Sequence, residues 1–131
     1  MHRYTMYNEN DFFNHAKAVV RLQINKELLK GSTGMMILNL LAQKDCYGYQ
    51  MMKELQQISD GVFHLKEGTL YPILHGLESK QWVESYWDAM DGRKRKYYRI
   101  TKKGRSELQA KKKEWKLFRN ALDRVLGEEP V

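Results

Sequence analysis

The hydrophobic period of this chain changes from helical to extended near Trp82, and that switch constrains the fold most. Leu70, Ile73, Leu74 and Leu77 recur at i, i+3, i+4 and i+7, the stripe of an amphipathic helix. Pro72 has no N–H to donate, so it belongs in the first turn, and the helix is expected to begin close to Glu67-Gly68. Trp82 to Trp87 is then rich in aromatic and β-branched residues. Asp91-Gly92 is a hairpin turn signal, and Arg95 to Ile100 is the return strand, with Tyr97, Tyr98 and Ile100 as strand formers.

Upstream, the pattern is helical. Residues 10–29 predict a helix capped by Asn10 or Asp11, with an incomplete stripe through Phe12, Phe13, Ala16, Val19, Val20, Leu22 and Leu28. Gly31 follows as a stop signal. Ser32 or Thr33 caps the next helix, whose buried face is Met36, Ile37, Leu40 and Leu41. A short turn at Cys46-Tyr47-Gly48 leads into a helix from about Tyr49 to Ser59, with Met52, Leu55 and Ile58 on one side, and Asp60-Gly61 ends it. Downstream of the hairpin, Thr101 is placed to cap a last helix running to about Leu126, and Gly127 and Pro130 close it.

Three short helices followed by a hairpin with a charged tip make a winged helix-turn-helix. The expected fold is mainly α with one β-hairpin: a winged helix-turn-helix domain at 31–101, an N-terminal extension and helix at 1–30, and a long C-terminal dimerisation helix at 102–131. At 131 residues the chain holds one domain with accessory helices. A unit of this size buries its own surface only marginally, so a dimer interface would help it.

The formal net charge of +7 suits a polyanionic partner, either nucleic acid or an acidic membrane. The single cysteine, Cys46, excludes an intramolecular disulfide and a CxxC metal pair, and reads as a packed or idle thiol. Met1 to Asn10 is polar without an apolar h-region, so no signal peptide is expected. The longest apolar run falls far short of a membrane span, so no membrane partner is expected and the cytoplasm is the expected compartment.

The basic run Arg93, Lys94, Arg95, Lys96, Arg99, Lys102, Lys103 and Arg105 lies on the hairpin and the turn after it, with Tyr86, Trp87, Tyr97 and Tyr98 interleaved to brace the strands. Such a wing lies along phosphates or reaches into a minor groove, and its position after a three-helix unit favours nucleic-acid binding over a solvated hairpin. The helix at Glu67 would be the recognition helix, offering Lys66, Thr69, Tyr71, His75 and Lys80, with Gly68 and Gly76 permitting close backbone approach. That face has no Arg, Asn or Gln in its middle to read guanine or adenine in bidentate fashion. Affinity should therefore come mainly from phosphates and the wing.

Leu108, Trp115, Phe118, Leu122 and Val125 take a and d places of a heptad, with Lys111 the exception, and predict a pairing seam on the last helix. The alternative is that the seam folds back on its own domain. Lys111, Lys112, Lys113 and Lys116 read as a solvated face. His2, His15, His64 and His75 lack metal-ligand spacing, and no nucleophile elbow, P-loop or dinucleotide fingerprint is present. No enzyme activity, metal or cofactor is expected.

Gly48-Tyr49, Glu67-Gly68-Thr69-Leu70-Tyr71-Pro72-Ile73-Leu74, Leu77-Glu78, Gly92-Arg93, Arg95 to Thr101 and Gly104 together resemble the PadR family of transcriptional regulators, over roughly Leu28 to Leu126. The resemblance implies a winged-helix repressor that binds a roughly palindromic operator on double-stranded DNA as a homodimer. It further implies pairing through the C-terminal helix and release of DNA on binding a small aromatic effector. At matching positions, Tyr49, Thr69 and Tyr71 would contact phosphate or groove, and Arg93 to Lys96 would form the wing. Trp115 matches a tryptophan that lines a flat pore at the dimer interface in multidrug-binding relatives, so Trp115, with Phe118, is the expected ligand-binding pair; a dimer-core role for Trp115 is the other reading. The extension at about Met1 to Glu27 is a departure from short family members and could cover or reshape that pore. The alternative function is a small protein-partner or ligand-binding module with only incidental DNA affinity.

Overall fold

The computed structural model of the chain describes residues 31–89 and 91–128. The helix expected at 10–29 lies outside the described residues. The elements run α1 (Thr33–Gln43), β1 (Cys46–Tyr47), α2 (Gly48–Ile58), α3 (Glu67–Ser79), β2 (Val83–Asp88), β3 (Arg95–Ile100) and α4 (Lys102–Leu126). Among the described residues, four helices and a three-stranded antiparallel sheet realise the expected mainly-α fold with a hairpin.

The core forms where one face of each helix meets the sheet. Ile37, Leu38, Leu40 and Leu41 from α1 pack with Met51 and Leu55 from α2, and with Leu70, Leu74 and Leu77 from α3. Val83, Tyr98 and Ile100 close it from the sheet, and Cys46 from β1. Burial of each large aliphatic side chain contributes about 1.5–3 kcal/mol, and this cluster is what fixes α3 against the hairpin.

Several sequence expectations shift in register. Met51, not Met52 or Ile58, is the buried partner of Leu55 on α2, and Ile58 is exposed. Leu38 joins the buried face of α1 while Met36 is half-buried. Ser32 sits at the N-cap of α1 but its side chain makes no capping bond. Cys46-Tyr47, expected as a turn, is a strand: Cys46 pairs with Tyr98 and Tyr47 with Tyr97, so β3 becomes the central strand in the order β1-β3-β2. Pro72 falls in the second turn of α3 rather than the first. It is exposed there, so the Gly68 carbonyl that it cannot serve faces the solvent side of the helix.

α4 begins as its sequence demands. Thr101 Oγ1 accepts a 3.0 Å bond from Gly104 N–H, and Gly127 ends the helix in the left-handed region with φ 75°. Gly104 lets α4 cross the turn after α3: a β-carbon there would collide with the Trp82 carbonyl and Ile100. One turn on, Leu108 is 1% exposed within the chain's own core. This corrects its assignment to the pairing seam, because a side chain already enclosed by its own domain has no surface left for a partner. The packed unit thus continues past residue 101 into α4. Beyond Leu108 the seam is uncovered, with Trp115, Phe118, Leu122 and Val125 all exposed.

Candidate nucleic-acid interface

α3 presents one face to the core through Leu70, Leu74 and Leu77 and leaves the other open. Lys66, Thr69 and His75 are exposed on the open side, as are Gly68 and Gly76, and a β-carbon on either glycine would meet nothing. Tyr71 is different. It is half-buried, and its phenol lies over Gly48, at the place a β-carbon on that residue would occupy. Tyr71 therefore joins α3 to the start of α2 as well as offering a hydroxyl. Next to it, Tyr49 is 62% exposed at the first turn of α2.

The hairpin splits the basic run in two. In the β2–β3 register Val83 faces Ile100, Ser85 faces Tyr98 and Trp87 faces Lys96. Strand alternation puts Val83, Ser85 and Trp87 on one face with Lys96, Tyr98 and Ile100. This is the face that meets α3, since Ser85 Oγ donates a 2.8 Å bond to Glu78 Oε2. On the opposite face lie Glu84, Tyr86, Arg95, Tyr97 and Arg99. There Tyr86 stacks on Tyr97 with centroids 5.7 Å apart, and Tyr47 meets Tyr97 edge-on at 5.4 Å.

The arginines of that opposite face are occupied. Arg95 lies 4.7 Å from the Tyr47 ring centroid and reaches Asp91 at 3.3 Å; Arg99 lies 4.7 Å from the Tyr86 centroid and reaches Glu84 at 3.0 Å. Arg93 and Lys94 are exposed at the tip, and Lys96 lies over the Tyr98 ring at 5.7 Å. Tyr86 also donates a 2.5 Å bond to Asp45 Oδ2, tying the hairpin to the loop before β1. That bond, helped by burial, pushes the Tyr86 phenol up to about 12.

The aromatic brace expected of the hairpin thus consists of Tyr86, Tyr97 and Tyr98, joined by Tyr47. Trp87 is not part of it: its side chain is 62% exposed. Asp45 and Tyr47 were not among the expected site residues, and only the strand pairing of β1 brings them there. Cys46 is fully buried, and loss of solvation pushes its thiol up to about 11, as befits an unreactive packed side chain.

A concave feature lies apart from α3 and the hairpin. A cleft of about 440 Å³ opens between α1, the end of α2 and α4, lined by Met35, Met36, Leu55, Ile58, Phe63 and Trp115, among others. Asn39, Ser59 and Lys112 supply its polar groups. Phe118 does not line it, but its ring lies 5.8 Å from that of Trp115. Lys111, expected in solvent, places its ammonium 5.3 Å from the Trp82 ring centroid.

The model of the transcriptional regulator PadR-like family matches residues 37–110, which include α3, the hairpin and the start of α4. The chain belongs to the PadR-like family. This PadR-like chain is 38% identical over 101 residues to an uncharacterized protein of Lysinibacillus sphaericus, an alignment covering 76% of the chain and 93% of that protein. It is 32% identical over 83 residues to transcriptional regulator Rv3488 of Mycobacterium tuberculosis, covering 63% of the chain and 75% of the regulator. Among solved structures it resembles a PadR family transcription regulator of Clostridium difficile, with a TM-score of 0.64, 36% identity, and coverage of 72% of this chain and 98% of that one. PadR-like proteins are transcriptional regulators rather than enzymes, and this chain is one of them. Among the described residues no helix is long and apolar enough to cross a membrane, and no cluster of His, Cys, Asp and Glu could hold a metal ion.

Proposed function

We propose that this PadR-like regulator is a cytoplasmic repressor that binds a roughly palindromic operator as a homodimer. The observation that carries the reading is that the open face of α3 and the exposed tip of the hairpin belong to one packed unit. The core and the Ser85–Glu78 bond lock the two together. α3 enters the major groove with Lys66, Thr69 and His75 outward, and Tyr49 and Tyr71 bind phosphate beside it. Arg93, Lys94 and Lys96 follow the neighbouring phosphates or minor groove. Arg95 contributes from the far side of the wing.

The exposed seam Trp115, Phe118, Leu122 and Val125 supports pairing through α4. Pairing sets two copies of α3 about one helical turn, roughly 34 Å, apart. The cleft beside Trp115 supports a small aromatic effector: its lining is apolar, with a few polar groups at the edge. An effector that fits one spacing of the paired helices would shift the dimer between DNA-competent and incompetent states.

The test is fluorescence anisotropy with a labelled duplex from the region upstream of the chain's own coding sequence and a scrambled duplex, across a salt series. Preference for the upstream duplex with a steep negative salt slope is the expected result. Equal, weak binding to both duplexes moves weight to a module that acts through protein partners on α4.

A further inference from the structure

Trp87 is the largest side chain on the wing, and the fold leaves most of it in solvent. It is 62% exposed, and its ring has the Lys94 ammonium 5.7 Å from the centroid. Tryptophan carries a large apolar area, and leaving it in water forgoes the stabilisation that burial would bring. The packing of the hairpin is carried by other residues. Tyr86, Tyr97 and Tyr47 brace the opposite face, and Val83, Tyr98 and Ile100 fill the core.

The position of Trp87 decides what it faces. Two residues before it, Ser85 bonds to Glu78 of α3. Trp87 is on that same face, one pleat farther toward the tip and directly opposite Lys96. An indole flanked by Lys94 and Lys96, on the helix-facing side of the wing, fits a partner with negative charge and flat apolar edges next to each other. A DNA minor groove has both, with phosphates on its rims and sugars and base edges on its walls.

We propose that Trp87 is a DNA-contacting residue of the wing: its indole packs into the minor groove beside the major-groove segment read by α3, while Lys94 and Lys96 hold the flanking phosphates. This rests on the operator-binding reading above. An apolar side chain placed against base steps reads groove width and deformability rather than a hydrogen-bond code. It would supply sequence preference that the middle of α3, without Arg, Asn or Gln, does not provide.

The experiment compares the full chain with Trp87→Ala and Trp87→Phe by anisotropy on the upstream duplex and its scramble over a salt series. Circular dichroism checks that each variant is folded. Trp87→Ala is expected to weaken binding roughly tenfold, as for loss of one aromatic packed on nucleic acid, and to leave the salt slope unchanged, since no charge is removed. Trp87→Phe should recover part of the loss. Tryptophan quenching on DNA addition should be present in the wild type and reduced in Trp87→Phe. Wild-type binding matched by Trp87→Ala, with unchanged quenching in Trp87→Phe, overturns the assignment and leaves operator binding standing. A wild type that binds neither duplex removes the operator reading and the inference with it. Anionic phospholipid vesicles are the control: a Trp87-dependent emission shift on vesicles, with none on DNA, overturns the inference in favour of a lipid surface.

Discussion

The phenol of Tyr71 on α3 lies where a β-carbon on Gly48 would stand at the head of α2. Two helices of the candidate interface are thereby set by one aromatic ring seated on one glycine. Gly48→Ala must push that ring aside, and overpacking of this kind typically costs about 1–3 kcal/mol. Denaturant unfolding should show the loss. Gly48→Ala combined with Tyr71→Leu should recover part of it, because the colliding phenol is gone. Strict additivity of the two changes would mean that the contact does not set the helix spacing.

Gly104 poses the same question with two effects opposed. Alanine is a better helix former than glycine by about 1 kcal/mol, so an open helix would be stabilised by Gly104→Ala. Here the added methyl meets the Trp82 carbonyl, which is backbone and cannot rotate away. The clash is expected to win, with a net loss of about 1–2 kcal/mol and a lower Tm. A Tm at or above that of wild type would show that the Gln81-Trp82 turn yields.

Most of the fold could be read from the chain because its signals are local. The stripe Leu70, Ile73, Leu74 and Leu77 is helical spacing, and Asp91-Gly92 between strand-forming runs is a hairpin. What could not be read locally depends on pairing between distant segments. Cys46-Tyr47 is a strand only because Tyr97 and Tyr98, far along the chain, receive it. Leu108 fits a heptad seam as well as a core position, and only the Gly104 crossing decides between them. The candidate site divides the same way. Lys66, Thr69 and His75 were legible as an outward helical face. The splitting of Arg93 to Lys96 needed the hairpin register, which assigns Lys96 to the α3 side and Arg95 to the other.

The bond from Tyr86 to Asp45 makes stability sensitive to alkaline pH. The phenol is pushed from its ordinary 10.0 up to about 12 in the fold, first by that hydrogen bond and then by burial. A group raised in the folded state stabilises fully below its unfolded value and loses that contribution as pH rises toward its folded value. The unfolding midpoint should therefore fall between about pH 10 and 12, and Tyr86→Phe should flatten that part of the profile. At neutral pH the same variant should lose about 1 kcal/mol for the missing bond. An unchanged alkaline profile in Tyr86→Phe would show that another group controls it.

The seam on α4 can be tested by charge. Phe118 is 56% exposed and sits between Trp115 and Leu122 along the helix. Phe118→Glu would set a carboxylate in an apolar interface in each protomer, and desolvation together with like-charge repulsion would oppose pairing. Sedimentation velocity should show wild-type dimers and Phe118→Glu monomers at the same concentration, with the domain's circular dichroism retained. Dimers that persist in the variant would place the pairing surface elsewhere on the chain.

The wing cations should not count equally toward DNA. Each phosphate left without its protein cation reduces the steepness of log K against log salt by about 0.9. Arg93→Ala and Lys94→Ala remove exposed charges at the tip, so each should reduce the slope by about that amount. Arg99 is held by Glu84 and stacked on Tyr86. Its charge is partly neutralised within the fold, and it faces away from α3. Arg99→Ala should therefore leave the slope nearly unchanged while lowering the denaturation midpoint of the domain. A wing that meets DNA with its α3-side face cannot give Arg99 the same weight as Lys94. A slope change for Arg99→Ala as large as that for Lys94→Ala would mean that the wing lies on DNA by its tyrosine face, with α3 turned away.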